Sequence, residues 1–176
     1  MKARHLLTAT LVCLSTTLSA LAAFTAPTEA QINAAAGTPS QLTALLNGAS
    51  LEEAASVVKS VMVRLAGLGL SDAALQSRAT LVISTATGAL PASGHLAFCA
   101  MLGNQMGNSL AIRSNPALVS ATQGALTTHT GTLGAVAAKA FGDAFEIASS
   151  GSNNAQNTKD ADKVQPPSAK LYPGQN

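Results

Sequence analysis

The sequence predicts an all-α protein, a compact bundle of five or six short helices rich in Ala and Gly. Apolar residues recur three and four positions apart in several segments, and Ser, Thr or Asn precedes most of these segments. The one run that resembles a strand, Leu81-Val82-Ile83, has no second run with which it could form a ladder. Helices that pack on helices are therefore the predicted architecture.

We expect residues 1–22 to be a cleaved export signal. Lys2 and Arg4 form a basic start, an apolar run follows, and Ala20-Leu21-Ala22 supplies small residues at the −3 and −1 positions of a peptidase site. This predicts a mature chain that begins at Ala23, with cleavage after Thr28-Glu29-Ala30 as the second choice. An uncleaved membrane anchor is the alternative, but Ser and Thr interrupt the run, whereas a spanning helix needs about 20 predominantly apolar residues.

The mature chain begins with a weakly patterned, Ala-rich segment at residues 23–37, which predicts a loosely ordered lead-in to a helical domain over 38–149. Thr38 stands where an N-cap would, directly before a proline, and Asn47-Gly48 is typical of a helix end. These signals predict a short first helix over Pro39–Leu46.

A capping box opens the clearest amphipathic helix, because Ser50 is followed three residues later by Glu53. Gly67 and Gly69 are expected to end this helix. Its apolar side has the three- and four-residue spacing of a buried helical face: Leu51, Ala54, Ala55, Val58, Val61, Met62 and Leu65.

Ser71 is the expected N-cap of the next helix, which should end over Gly88–Pro91. Its predicted core side comprises Leu75, Ala79, Val82, Ile83 and Ala86. Ser93 then begins a segment that contains His95–Leu110, for which a further helix is predicted.

Asn115-Pro116 begins a long helical pattern that carries four glycines, each of which costs about 1 kcal/mol in a helix interior relative to Ala. We therefore predict a break near Thr130 and two helices, over 116–127 and 132–148. Residues 150–176 are polar and contain few apolar residues, so they are expected to form a disordered tail. No internal repeat of fixed period is found.

Aromatic residues are few, and Phe98, Phe141 and Phe145 are the predicted large core residues, with the last two stacked one helical turn apart. Removing Lys2 and Arg4 with the signal leaves eight Lys and Arg against eight Asp and Glu. A neutral mature chain without a basic cluster is not expected to bind nucleic acid.

Cys99 is the single thiol of the expected mature chain, because Cys13 leaves with the signal. One cysteine excludes an intramolecular disulfide framework, and without CxxC or CxxCH motifs neither a zinc ribbon nor c-type haem attachment is expected. The fold must therefore be stabilised by packing.

The most chemically varied segment, HLAFCAMLGNQMGNSL at 95–110, allows a metal-binding interpretation. On a helix, His95, Cys99 and Met106 lie near one face and could bind a soft ion such as Cu(I). Packing is the competing interpretation, because the same segment carries a core-type stripe with the small-xxx-small pair Gly103 and Gly107: Leu96, Cys99, Gly103, Met106 or Gly107, and Leu110. We favour packing, and predict no resident metal or cofactor.

Cysteine catalysis is a third interpretation, in which His95 serves Cys99 as a base. No acid lies nearby in sequence to orient the base, and His129 is expected to face solvent. Among the carboxylates, Glu52 and Glu53 belong to a helix N-terminus, and Asp143 and Glu146 to a polar face, so no catalytic residues are assigned.

These observations together predict a small exported bacterial envelope protein without enzymatic activity. It would be periplasmic or secreted, without a membrane span after signal cleavage, and would act through helix-mediated contacts with itself or another protein. The alternative is a Cu(I)-type protein that uses His95, Cys99 and Met106.

Overall fold

The computed structural model describes residues 24–38 and 40–163, with side chains as far as residue 151. All regular secondary structure in these ranges is helical, which confirms the predicted all-α class. The expected export signal at 1–22, the proline at position 39, and residues 164–176 lie outside the described residues.

Eight α-helices are present in the part of the chain that the structure describes. In chain order they are α1 Glu29–Gly37, α2 Ser40–Leu46, α3 Leu51–Ala66, α4 Asp72–Ala89, α5 His95–Gly107, α6 Leu110–Arg113, α7 Pro116–His129 and α8 Gly134–Lys163. Two 3₁₀ turns, Ala92–Gly94 and Gly131–Leu133, lead directly into α5 and α8.

The longer helices lie in two layers. In one layer α2 packs on α4 and α4 on α7; in the other α1 packs on α3, α3 on α5 and α5 on α8. Contacts of α3 with α4 and of α7 with α8 join the layers, and the short α6 lies against α3, α5 and α7. The apolar faces meet between the layers, so that one continuous core forms.

A helix, 3₁₀ turn and helix unit occurs twice, as α4 with α5 and as α7 with α8. The equivalent helices are neighbours, since α4 packs on α7 and α5 packs on α8. Thr87 and Thr130 are buried at the C-terminal ends of α4 and α7, and each hydroxyl donates to the carbonyl four residues earlier. The structural unit therefore recurs although the sequence has no repeat of fixed period.

Three of the predicted N-caps, at Ser50, Ser71 and Asn115, form the bonds that the sequence predicts. Ser50 and Glu53 make a reciprocal capping box, with the Ser50 amide 2.8 Å from the Glu53 carboxylate. Ser71 accepts from the amide of Ala74, and Asn115 from that of Leu118. These caps satisfy amides that the first helical turn leaves without a partner.

The predicted break near Thr130 is confirmed, because α7 ends at His129 and Gly131 has a φ of 62° in the following turn. The predicted aromatic core is confirmed for Phe98 and Phe141, whose side chains are fully buried. Phe145 is half-buried, and its ring stacks on Phe141 with 6.0 Å between the centroids.

The segment expected to be a loose lead-in contains a helix, α1, so that expectation is corrected. Thr28 and Gln31 form a capping box, and Ala35 and Ala36 are buried. Arg78 also holds the end of α1, because its guanidinium donates to the carbonyl of Gly37 over 2.6 Å. An Ala-rich segment has no strong apolar stripe, so only its tertiary partners reveal its buried side.

Two further boundaries differ from the predicted ones. The helix that begins at His95 ends at Gly107 rather than continuing to Leu110, because the extended backbone of Ser109 separates it from α6. α8 continues as far as Lys163, past the expected start of a disordered tail at residue 150.

No helix among the described residues is both long enough and apolar enough to cross a membrane.

Candidate functional site

His95 is the first residue of α5, and its imidazole reaches back to the end of α4. The Nε2 atom lies 2.9 Å from the carbonyl oxygen of Thr87 and 3.3 Å from that of Leu90. Both partners are acceptors, so Nε2 carries a proton and donates. The ring is 9% exposed. His95 therefore satisfies carbonyls at and just beyond the C-terminal end of α4, and its Nε2 is not available to bind a metal.

Cys99 follows His95 by one helical turn and is completely buried in the core. Burial disfavours the thiolate and raises the pKa of this thiol to about 11. At neutral pH the group is therefore an uncharged thiol without access to solvent. Both conditions oppose the nucleophilic role, which requires an accessible thiolate.

Met106 is also fully buried and belongs to the same core cluster as Cys99 and Phe98. Met101 points away from that cluster and is exposed. His95, Cys99 and Met106 therefore lie on the buried side of α5, as their spacing predicts, but the imidazole is directed towards α4. Within the described residues, no group of three or more His, Cys, Asp and Glu side chains is arranged to hold a metal ion.

The two glycines of α5 allow this helix to touch the backbone of α8. A Cβ atom on Gly103 would lie 2.2 Å from the carbonyl oxygen of Phe141, and one on Gly107 would lie 2.5 Å from that of Phe145. Both distances are far shorter than real carbon–oxygen contacts. The contacts advance in the same direction along both helices, so α5 and α8 run parallel, and the close approach predicted by the small-xxx-small spacing is confirmed.

The remaining candidate catalytic groups do not converge. Glu53 caps α3, and Glu52 lies beside it at an exposed position, where its carbonyl accepts from the Gln105 side chain. Asp143 is exposed and pairs with Lys139 over 2.5 Å. His129, expected to face solvent, is half-buried at the end of α7.

An exposed apolar surface lies on the other side of α5 and α8, and we call it the α5–α8 face. It consists of Leu96, Ala97 and Ala100 on α5 with Val136, Ala140 and Ile147 on α8. The α5 residues line a shallow groove with Val136, Ala140 and the Lys139–Asp143 pair. Val136 is 54% exposed and Ile147 73% exposed, which is high for β-branched apolar side chains.

The predictions from the sequence do not include this face, because they name only Phe141 and Phe145 as large apolar residues of this helix. A second signal was present: Val136, Ala140, Asp143 and Ile147 follow one another at intervals of four, three and four residues. That spacing defines one helical face, turned away from the phenylalanines.

Comparison with family models, with curated proteins and with solved structures finds no match to this chain.

Proposed function

We propose that this chain is a small exported bacterial envelope protein that has no enzymatic activity and acts through protein–protein contacts made by the α5–α8 face. The observation that carries this proposal is the apolar groove of Leu96, Ala97, Ala100 and Val136, together with exposed Ile147 further along the same side of α8. Contiguous exposed apolar surface is typical of interaction sites.

The charge distribution supports a contact of this kind. The expected mature chain is neutral, and the groove on this face is lined by one cation and one anion, Lys139 and Asp143, which neutralise each other. A partner would therefore be bound through apolar burial rather than through attraction to a highly charged surface.

Export is proposed on the basis of the basic start, the apolar run and the Ala20-Leu21-Ala22 site. The helical lead-in favours this site over the second choice, since cleavage after Ala30 would remove the Thr28 cap of α1. Intact-mass analysis of protein from the periplasm or the medium should give a chain that begins at Ala23. Recovery of the chain from Met1 in the membrane fraction would contradict export.

The Cu(I) alternative has less support than the contact proposal. His95 donates through Nε2 to two carbonyls, and Cys99 has no exposed surface. Binding an ion between His95, Cys99 and Met106 would require the imidazole to give up its bonds to the carbonyls of Thr87 and Leu90.

The contact proposal is tested by affinity capture of the mature protein from its native envelope. We compare the wild-type chain with a Val136→Lys/Ile147→Lys variant and with Leu81→Lys, a control at another exposed apolar residue, on α4. Wild type and control should recover the same partner, and the double variant should lose it. Equal recovery by all three would show that the α5–α8 face is not the contact site.

A further inference from the structure

We propose that a second copy of this chain docks on the α5–α8 face, with the two α8 helices packed antiparallel about a two-fold axis. This inference rests on the proposed function, because it identifies the partner at the same face. The axis would pass between residues 141 and 142, at the middle of the exposed stripe of Val136, Ala140, Asp143 and Ile147.

The spacing of this stripe is the same when read in either direction, four residues, three and four. In an antiparallel pair centred on it, Val136 of each copy meets Ile147 of the other, and Ala140 meets Asp143. The two exposed β-branched residues thus cover each other at both ends. At about 1.5 Å of rise per residue, the two contacts lie about 16 Å apart, so they fix the relative orientation of the helices.

The charges of the stripe are also complementary to themselves. Lys139 and Asp143 form a pair within one helix and are each more than half exposed at the side chain. In the antiparallel arrangement, Lys139 of each copy lies within about one residue of axial distance from Asp143 of the other, so the same two charges can pair across the axis. The Lys139 and Asp143 charges therefore stay balanced in the contact.

Small residues allow the two copies to approach closely. Ala140 lies at the middle of the stripe, and Ala97 and Ala100 flank it on α5. Leu96 lines the groove beside them and extends the apolar area beyond a single helix pair. The face therefore has apolar ends and, at its centre, Ala140 beside the Lys139–Asp143 pair, so that it is complementary to a second copy of itself.

The first test is the mass of the mature chain by light scattering after size exclusion, over a hundredfold range of concentration. Wild type and the Leu81→Lys control should approach twice the monomer mass as concentration rises. The Val136→Lys/Ile147→Lys variant should remain monomeric, with self-association weakened at least tenfold. Circular dichroism should show an unchanged helical fold, because both substituted residues are solvent-exposed.

Charge reversal tests whether Lys139 and Asp143 of the two copies face each other across the contact. Lys139→Glu alone places two acidic groups opposite each other, and Asp143→Lys alone places two basic groups opposite each other, so each variant should be monomeric. An equimolar mixture of these two variants should dimerise, since the acidic stripe of one then faces the basic stripe of the other.

A monomeric wild-type chain at the highest concentration, or a dimer that the Lys substitutions leave intact, would overturn this inference. So would a mixture of the charge variants that stays monomeric. If the wild type is monomeric but still captures a different protein through Val136 and Ile147, the proposed function stands and only the second copy is wrong. If the wild type is monomeric and the Val136→Lys/Ile147→Lys variant captures the same proteins as the wild type, the proposed function and the second-copy inference are both wrong.

Discussion

Two glycines within helices have opposite structural roles, and the same substitution should change stability in opposite directions. Gly103→Ala should lower the free energy of unfolding by about 1–3 kcal/mol, because its methyl group would overlap the Phe141 carbonyl and push α8 away. Gly124→Ala should raise it by about 0.5–1 kcal/mol, since no atom lies within 4 Å of its added Cβ and Ala is the better helix former.

Urea denaturation of the two variants and the wild type measures both effects. Each is a change of one hydrogen to a methyl group inside a helix, so each is the control for the other. A Gly103→Ala protein as stable as the wild type would contradict the close contact between α5 and α8.

The buried thiol gives a pH-dependent prediction. Because the pKa of Cys99 is raised from 9.0 to about 11 in the folded chain, its contribution to stability is complete below pH 9 and is lost as the pH rises towards 11. Wild type should therefore lose more stability than Cys99→Ala between pH 8 and pH 11. Parallel pH profiles for the two proteins would contradict this.

Labelling of the same thiol distinguishes packing from soft-metal binding. In the folded chain at neutral pH, Cys99 should react slowly with a thiol reagent, at a rate that Cu(I) does not change, because the group is buried and protonated. Fast labelling that Cu(I) blocks would favour the metal-binding alternative.

At the scale of elements, His95 joins α4 to α5 across the 3₁₀ turn that separates them. His95→Ala should lower the free energy of unfolding by about 1–3 kcal/mol, because the carbonyls of Thr87 and Leu90 lose a buried donor. His129→Ala, at the end of α7, is the matched control and should have a smaller effect. Thermal unfolding followed by circular dichroism compares them, and equal losses would show that the Nε2 bonds are not important.

Helix starts were the most predictable elements, because a cap is a local interaction between residues three positions apart. The Ser50 box and the Ser71 and Asn115 caps were identified from the sequence alone. The equivalent box at Thr28 and Gln31 was overlooked, because the Ala-rich helix behind it has no clear apolar stripe.

The candidate site was predictable only in part, for a related reason. The helical period placed His95, Cys99 and Met106 on one side of α5, and all three are buried there. The helical period does not show that the His95 ring turns back eight residues to the carbonyl of Thr87. Nor does it show that α8 has an exposed apolar stripe opposite its phenylalanines.

For the whole molecule, the order of the layers depends on contacts that local patterns do not encode. Many core positions are alanines, such as Ala54, Ala79 and Ala137, which fit equally well against several neighbours. The glycines at 103 and 107 allow α8 to lie directly against α5, but their spacing does not say which helix takes that place. The all-α class was therefore predictable from composition and period, and the two-layer arrangement was not.

The end of α8 tests where the packed structure stops. Ala148 contacts the position of Gly107, and the carbonyl of Ser149 accepts from Arg113 over 3.2 Å. Beyond these residues, the sequence SNNAQNTKDADK at 152–163 offers no large apolar side chain, and a polar helix without packing is marginal in water. Deletion of 152–176 should therefore change the free energy of unfolding by no more than about 0.5 kcal/mol.

Deletion of 146–176 is the comparison, because it also removes Ala148 and Ser149 together with their contacts to α5 and α6. This longer truncation should destabilise the fold by about 1–3 kcal/mol, as measured by urea denaturation of both truncated chains. A comparable loss from the shorter truncation would mean that residues beyond 151 pack on the helical layers. The Pro166-Pro167 and Tyr172-Pro173 segments would then be the first positions to substitute, since proline and tyrosine there offer the apolar surface that 152–163 lacks.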